Sequence, residues 1–295
     1  MQWFGGRESD NVEEGSGGGG GGGRGLIFGG GIVGVIAALF YIFTGINPSK
    51  LFNAGLPDQS QIQLQHNRKV NGNLSRNEQF ASVVLAGTED VWDSLFTAMG
   101  RTYVRPKLHL FQNEVDAEGC GYASSATGPF YCPADQKVYL DLSFFDELRN
   151  RFQSPGDAAA AYVIAHEVGH HVQNLLGVSA KMEQARQQLS QTQYNKLSVA
   201  LELQADFYAG VWAHYEQQAK QKGIVISRAD IDSALVAANA IGDDRLQQES
   251  SGHVEPDSFT HGTSAQRMYW FKKGFDTGDI KQGNTFANIK IREEE

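Results

Sequence analysis

The chain is poor in cysteine: among 295 residues there are only Cys120 and Cys132. Two thiolates cannot build a four-cysteine zinc site. Separated by the Gly- and Ser-containing loop 121–131, the pair reads either as one disulfide in an oxidising compartment or as two small core residues in a reducing one. The disulfide is the expectation, and it would place the main domain outside the cytoplasm. Positive charge is also scarce. Against 34 Asp and Glu there are 25 Lys and Arg, for a formal charge of −9, which removes the electrostatic case for a nucleic-acid partner. No internal repeat is present.

Long apolar runs are nearly absent, with one exception. Residues 25–45 carry no charge, and about twenty residues of helix rise roughly 30 Å, enough to cross a bilayer. A cleaved signal peptide competes with this reading, as does a buried core helix. The long leader, the few positive charges ahead of the run and the lack of a small-x-small cleavage site oppose the signal peptide. The expectation is an uncleaved single-pass helix in a cytoplasmic (inner) membrane, with the folded domain on its outer, periplasmic side. Arg7 and Arg24 before the run and Lys50, Arg68 and Lys69 after it barely tilt the charge balance that sets orientation. Around this segment the chain divides into a glycine-rich flexible tail (1–24), the transmembrane helix (25–45), a polar linker (46–77), a folded domain (78–291) and a frayed tail (292–295).

Within the folded domain, Glu89 to Met99 reads as a helix capped by Thr88, with Val91, Trp92, Leu95 and Phe96 on one face. Lys107–Gln112 and Lys137–Leu142 alternate as strands do. Phe144–Phe152 and Asp230–Ile241 read as further helices, the second capped by Ser227 or Asp230. The strand 138–142 is either a plain internal strand or a sheet edge that an extended peptide could join. The fold class is α+β and mainly helical, with a small sheet ahead of the segment described next.

That segment is His166-Glu167-Val168-Gly169-His170. On a helix, residues four apart share a face, so His166 and His170 can turn toward one ion. Glu167 lies about 100° to the side, where its carboxylate can reach a water on that ion. The signals at Ser154-Pro155-Gly156-Asp157 and at Gly177 start and stop a helix around it. The apolar run Ala158 to Ala165 buries it, and burying two imidazoles and a carboxylate is costly unless something binds them. A catalytic zinc commonly takes two histidines and one carboxylate. Glu202, in a helix-like stretch from about Ser198 to Lys220, fits the third place. Asp206, one turn on, would accept a hydrogen bond from the far nitrogen of a ligand histidine. An ordinary solvated helix face is disfavoured for both acids by Leu201, Leu203, Ala205, Phe207 and Tyr208. His261, or less favourably Arg267, could face the oxyanion of a tetrahedral intermediate. His171 points about 140° from His166. His66, His109, His214 and His253 have no partner at ligand spacing. Asp243 and Asp244, ahead of Arg245, read as a helix end with a local salt bridge rather than as support for the site.

Together, His-Glu-Val-Gly-His-His-Val-Gln, Glu-Leu-Gln-Ala-Asp-Phe-Tyr-Ala-Gly, Ile241-Gly-Asp-Asp-Arg-Leu-Gln247, His261-Gly-Thr-Ser-Ala-Gln-Arg267 and the Gly128–Pro133 segment Gly-Pro-Phe-Tyr-Cys-Pro resemble the bacterial family of putative neutral zinc metallopeptidases. The likeness covers nearly the whole chain, glycine-rich N-terminus included. It implies a zincin-like domain with Zn2+ as cofactor and gives Glu202 and Asp206 the roles argued above. One departure from the thermolysin-like pattern stands out: Leu201 occupies the place before the third-ligand glutamate where that pattern has Asn. The expected activity is that of a membrane-anchored zinc endopeptidase acting on protein or peptide substrates, in no oligomeric state that the sequence defines. A non-catalytic, membrane-tethered zinc-binding scaffold has no use for Glu167. A zinc amidase acting on non-protein bonds is the other alternative.

Overall fold

The computed structural model describes residues 1–14, 74–150, 156–219, 223–287 and 289. Helix α1 (Arg76–Ala98) is followed by strands β2 (Lys107–Phe111) to β6 (Lys137–Asp141), and β1 (Val12–Glu14) comes from the N-terminal segment. The principal sheet has the order β1-β2-β6-β5, where β5 is Phe130–Cys132. β1, β2 and β6 are parallel and β5 runs antiparallel to β6. A separate hairpin pairs β3 (Glu114–Ala117) with β4 (Gly121–Ser124). Helices α2 (Phe144–Asn150), α3 (Asp157–Leu175), α4 (Val178–Gln188), α5 (Gln191–Gln218), α6 (Arg228–Ala240), α7 (Asp243–Ser251) and α8 (Ser264–Thr277) complete the described part. Helix thus dominates, with small sheets.

The main core lies where α1, α3, α5, α6 and α8 meet the sheet, around Phe80, Trp92, Leu108, Tyr162, Phe207 and Phe271. A smaller apolar cluster, with Phe111, Phe130, Cys132 and Tyr139, sits under the β3–β4 hairpin. There a disulfide joins Cys120 to Cys132. α5 and α8 cross almost backbone to backbone. A Cβ on Gly210 would stand 2.0 Å from the Phe271 carbonyl oxygen, and one on Gly274 would stand 2.0 Å from that of Phe207. No other residue fits either place without moving a helix.

The structure corrects several expectations. The membrane-spanning helix is not supported: among the described residues no helix is long and apolar enough to cross a membrane, and residues 25–45 lie outside the described residues. There is also a topological reason. β1, from residues 12–14, pairs in register with β2 of the folded domain, and a single crossing between them would put the two strands on opposite sides of the bilayer. The single-pass inner-membrane location falls with it. Residues 1–14 are no loose tail either. Trp3 is 1 % exposed and its indole N–H donates to Asp157 at 2.6 Å, while Arg7 pairs with Glu89 at 3.0 Å. Thr88 does not cap α1. It lies buried inside the helix with its hydroxyl on the Leu85 carbonyl, and the cap is Ser75, in a reciprocal box with Glu78. Finally, strand 138–142 is internal, flanked by β2 and β5, and among the described residues β5 is the outermost strand on that side.

Candidate metal centre

α3 begins after Gly156 and stops at Leu176 and Gly177, so the motif histidines stand in its second half. Between them, Gly169 faces α5. A Cβ there would lie 2.9 Å from the Ala205 carbonyl oxygen, so only a glycine lets α5 press its backbone against the turn that carries the two histidines. That approach carries Glu202 and Asp206, one turn apart, up to the imidazoles. Glu202 Oε2 lies 3.2 Å from His166 Nε2, and Oε1 lies 3.5 Å from His170 Nε2. One ligand atom from each of the three residues falls within 4.8 Å of the others. Two imidazole nitrogens and one carboxylate, converging in a buried place, are the donor set that a catalytic zinc takes with a fourth position left open. The residues present fit that ion.

Behind His166 is a charged network. Its Nδ1–H donates to Asp206 Oδ1 at 2.9 Å, which turns Nε2 toward Glu202. Asp206 is wholly buried and also accepts from the Tyr162 hydroxyl. Arg267 forks onto the same carboxylate through Nε at 2.8 Å and Nη2 at 3.0 Å. Burial alone would raise the Asp206 pKa, but the Arg267 guanidinium and then His166 outweigh it and lower it to about 2. Burial likewise works against charge on His166, and Asp206 outweighs it, raising the imidazole to about 10 in the metal-free protein. These are one interaction seen from its two ends. Glu202 is held well below the usual carboxylate range despite its burial, because His170 and His261 face it.

Glu167 is 8 % exposed, and its carboxylate makes no hydrogen bond or salt bridge among the described residues. Burial raises its pKa, with the neighbouring histidines opposing. A carboxyl placed beside such a donor set can trade a proton with a water held there.

His261 is buried, and its ring bonds fall on Nδ1, 3.3 Å from Asp243 Oδ1 and 3.0 Å from the Thr260 hydroxyl. Burial disfavours its charged form, but Glu202 and Asp243 together raise its pKa, so the ring stands within electrostatic reach of the third ligand. Asp243 is the residue that sequence reasoning misread. Its Oδ2 accepts the backbone N–H of Thr260, His261 and Gly262 at 2.8, 2.6 and 2.9 Å. It holds the loop that presents His261, while Asp244 accepts from the Ser264 backbone N–H at 2.8 Å. Arg245 pairs with Glu249 instead. The signal was there in the acidic pair at a helix start, but its partners lie some twenty residues on.

Arg267 does not stand as an oxyanion donor. It is 3 % exposed, lies behind Asp206 and also reaches the Ile241 carbonyl, so it is part of the support of His166. His171 stays off the metal face. Its Nε2–H donates to the Val104 carbonyl at 2.6 Å and its Nδ1 accepts from Tyr131, and burial lowers its pKa to about 4. Tyr131 belongs to β5, so this neutral histidine ties the disulfide-bearing strand to α3. His66 lies outside the described residues.

The mainly helical domain thus gathers two histidines and a glutamate that could hold a metal ion, beside a buried second glutamate. The family model described as "Putative neutral zinc metallopeptidase" matches residues 1–286, and the chain belongs to that family. It is 49 % identical over 293 residues to the uncharacterized protein YpfJ of Escherichia coli strain K12, covering 97 % of this chain and 99 % of the relative. It is 43 % identical over 215 residues to the uncharacterized protein Rv2575 of Mycobacterium tuberculosis strain H37Rv, covering 70 % of this chain and 71 % of that one. No solved structure matches.

Proposed function

We propose that the protein is a zinc-dependent endopeptidase, with His166, His170 and Glu202 as ligands and Glu167 as general base. The observation that carries this reading is the buried Glu167 carboxylate, unpaired among the described residues, beside three converging donors. A purely structural site closes all four positions and has no use for such a group.

Zinc, when bound, would lower the pKa of a water and polarise the scissile carbonyl. The chain supplies the rest. Glu167 takes the proton of the attacking water and passes it to the leaving amine. His261, held by Asp243, donates a hydrogen bond to the oxygen on which negative charge develops. Asp206 and Arg267 keep His166 in the tautomer that offers Nε2.

The test is Glu167→Gln. Zinc content by elemental analysis should stay at the wild-type value, while chelator-sensitive hydrolysis of a casein-like substrate should vanish. Retained turnover in this variant would sink the assigned role. Cleavage by the wild type of peptidoglycan, with casein left intact, would favour an amidase instead.

A further inference from the structure

We infer that Gln173 is the positioning residue for His170, fixing which of its ring nitrogens is left for the metal. The inference rests on the metal reading above and concerns the half of the site that lacks a supporting carboxylate.

Gln173 is wholly buried, one turn beyond His170 on α3. Its Oε1 lies 2.8 Å from His170 Nδ1. Its Nε2 donates to the Leu201 carbonyl at 2.7 Å and to Gln204 Oε1 at 3.2 Å. A carbonyl can only accept, so the amide nitrogen must face Leu201 and the amide oxygen must face the imidazole. His170 Nδ1 must then carry the hydrogen. Nε2 keeps its lone pair and points at Glu202 Oε1, 3.5 Å away. Gln204 is fixed in the same sense, because its own Nε2 donates to the Gly283 carbonyl at 2.7 Å and leaves Oε1 for Gln173. The donors thus all point one way, from the His170 imidazole through Gln173 and Gln204 to the C-terminal loop.

This arrangement accounts for the departure at Leu201. The residue before Glu202 has an apolar side chain, but its backbone carbonyl orients the Gln173 amide, and orientation of His170 comes from its own helix. An amide does this without adding charge. A carboxylate at position 173 would put a further negative group into a buried site that already holds Glu167, Glu202 and Asp206, with Arg267 committed to the far side.

Two measurements test the inference. In metal-free wild type, long-range 1H–15N correlations of His170, taken to alkaline pH until the ring is neutral, should show the Nδ1–H tautomer; Nε2–H would overturn the proposal. Zinc affinity, by competition with a chromophoric chelator, should fall about 10- to 100-fold in Gln173→Met. It should fall much less in Gln204→Met, which breaks the helix-to-loop link but keeps the His170 contact. Equal losses in the two variants would reduce Gln173 to a helix–helix bridge and overturn the assignment. Should Gln173→Met fail to fold, the tautomer of His170 in the wild type still decides the proposal. Failure of the wild type to bind zinc would strike the metal reading instead, and the tautomer measurement does not depend on it.

Discussion

Two stretches of α5 bury carboxylates in opposite ways. In its middle, Glu202 and Asp206 face His166, His170, His261 and Arg267, and both ionise more readily than free side chains. Three turns on, Glu216 is 6 % exposed with no salt bridge among the described residues. It packs by Gly87 and Ile224, and burial, aided by Asp90, raises it from 4.5 to about 7. One helix, one degree of burial and two signs of shift show that counter-charge decides ionisation here. Desolvation pushes each of these acids up, and around Glu202 and Asp206 the facing cations and their hydrogen bonds reverse it.

The contrast can be broken from its charged side first. Glu202→Ala should leave no stoichiometric zinc by elemental analysis, because two imidazoles alone make a poor site; full zinc content would remove Glu202 from the ligand set. Arg267→Met strands the Asp206 charge, and urea denaturation should show a loss of about 3–5 kcal/mol. A loss under about 1 kcal/mol would mean that the buried pair is not a coupled unit.

From the uncharged side, Glu216→Gln should stabilise. The folded pKa lies above the ordinary one, so the fold favours the neutral acid. That contribution is complete below pH 4.5 and is lost as pH rises through about 7. The variant should therefore match wild type at pH 4 and exceed it by up to about 3 kcal/mol at pH 8. A pH-independent difference would assign the effect to packing. Asp206 runs the other way, with stability present above its ordinary pKa of 3.8 and lost as pH falls through about 2. As a control outside α5, the Cys120→Ser/Cys132→Ser pair should cost about 2–3 kcal/mol by releasing its loop. That cost should be the same at pH 5 and pH 8.

Much of the site was legible because its signals are local. The shared faces of His166 and His170, and of Glu202 and Asp206, follow from helix geometry alone, and strands β2 and β6 from the alternation of their apolar residues. The misreadings share a cause. Thr88 looked like a cap because a helix interior and a helix start use the same residue types, and only the Ser75–Glu78 box separates them. Asp243, Arg267 and Gln173 act through partners on other elements, and no spacing rule connects Asp243 to the backbone of Thr260 or Gln173 to Leu201. Residues 1–14 read as a tail because a three-residue strand and one buried tryptophan leave almost no periodic pattern.

By itself the sequence determined the chemistry available: two imidazoles and a base on one helical face, two acids on another, and a cysteine pair short enough in separation to close a loop. Tertiary structure decided what each group does. Gly169 lets α5 close on α3, Gly210 and Gly274 let α8 close on α5, and those approaches set which carboxylates meet a cation among the described residues. The reason is physical. Periodicity along a chain is fixed by backbone geometry, whereas charge state and ring orientation depend on which atoms arrive from elsewhere within a few ångströms.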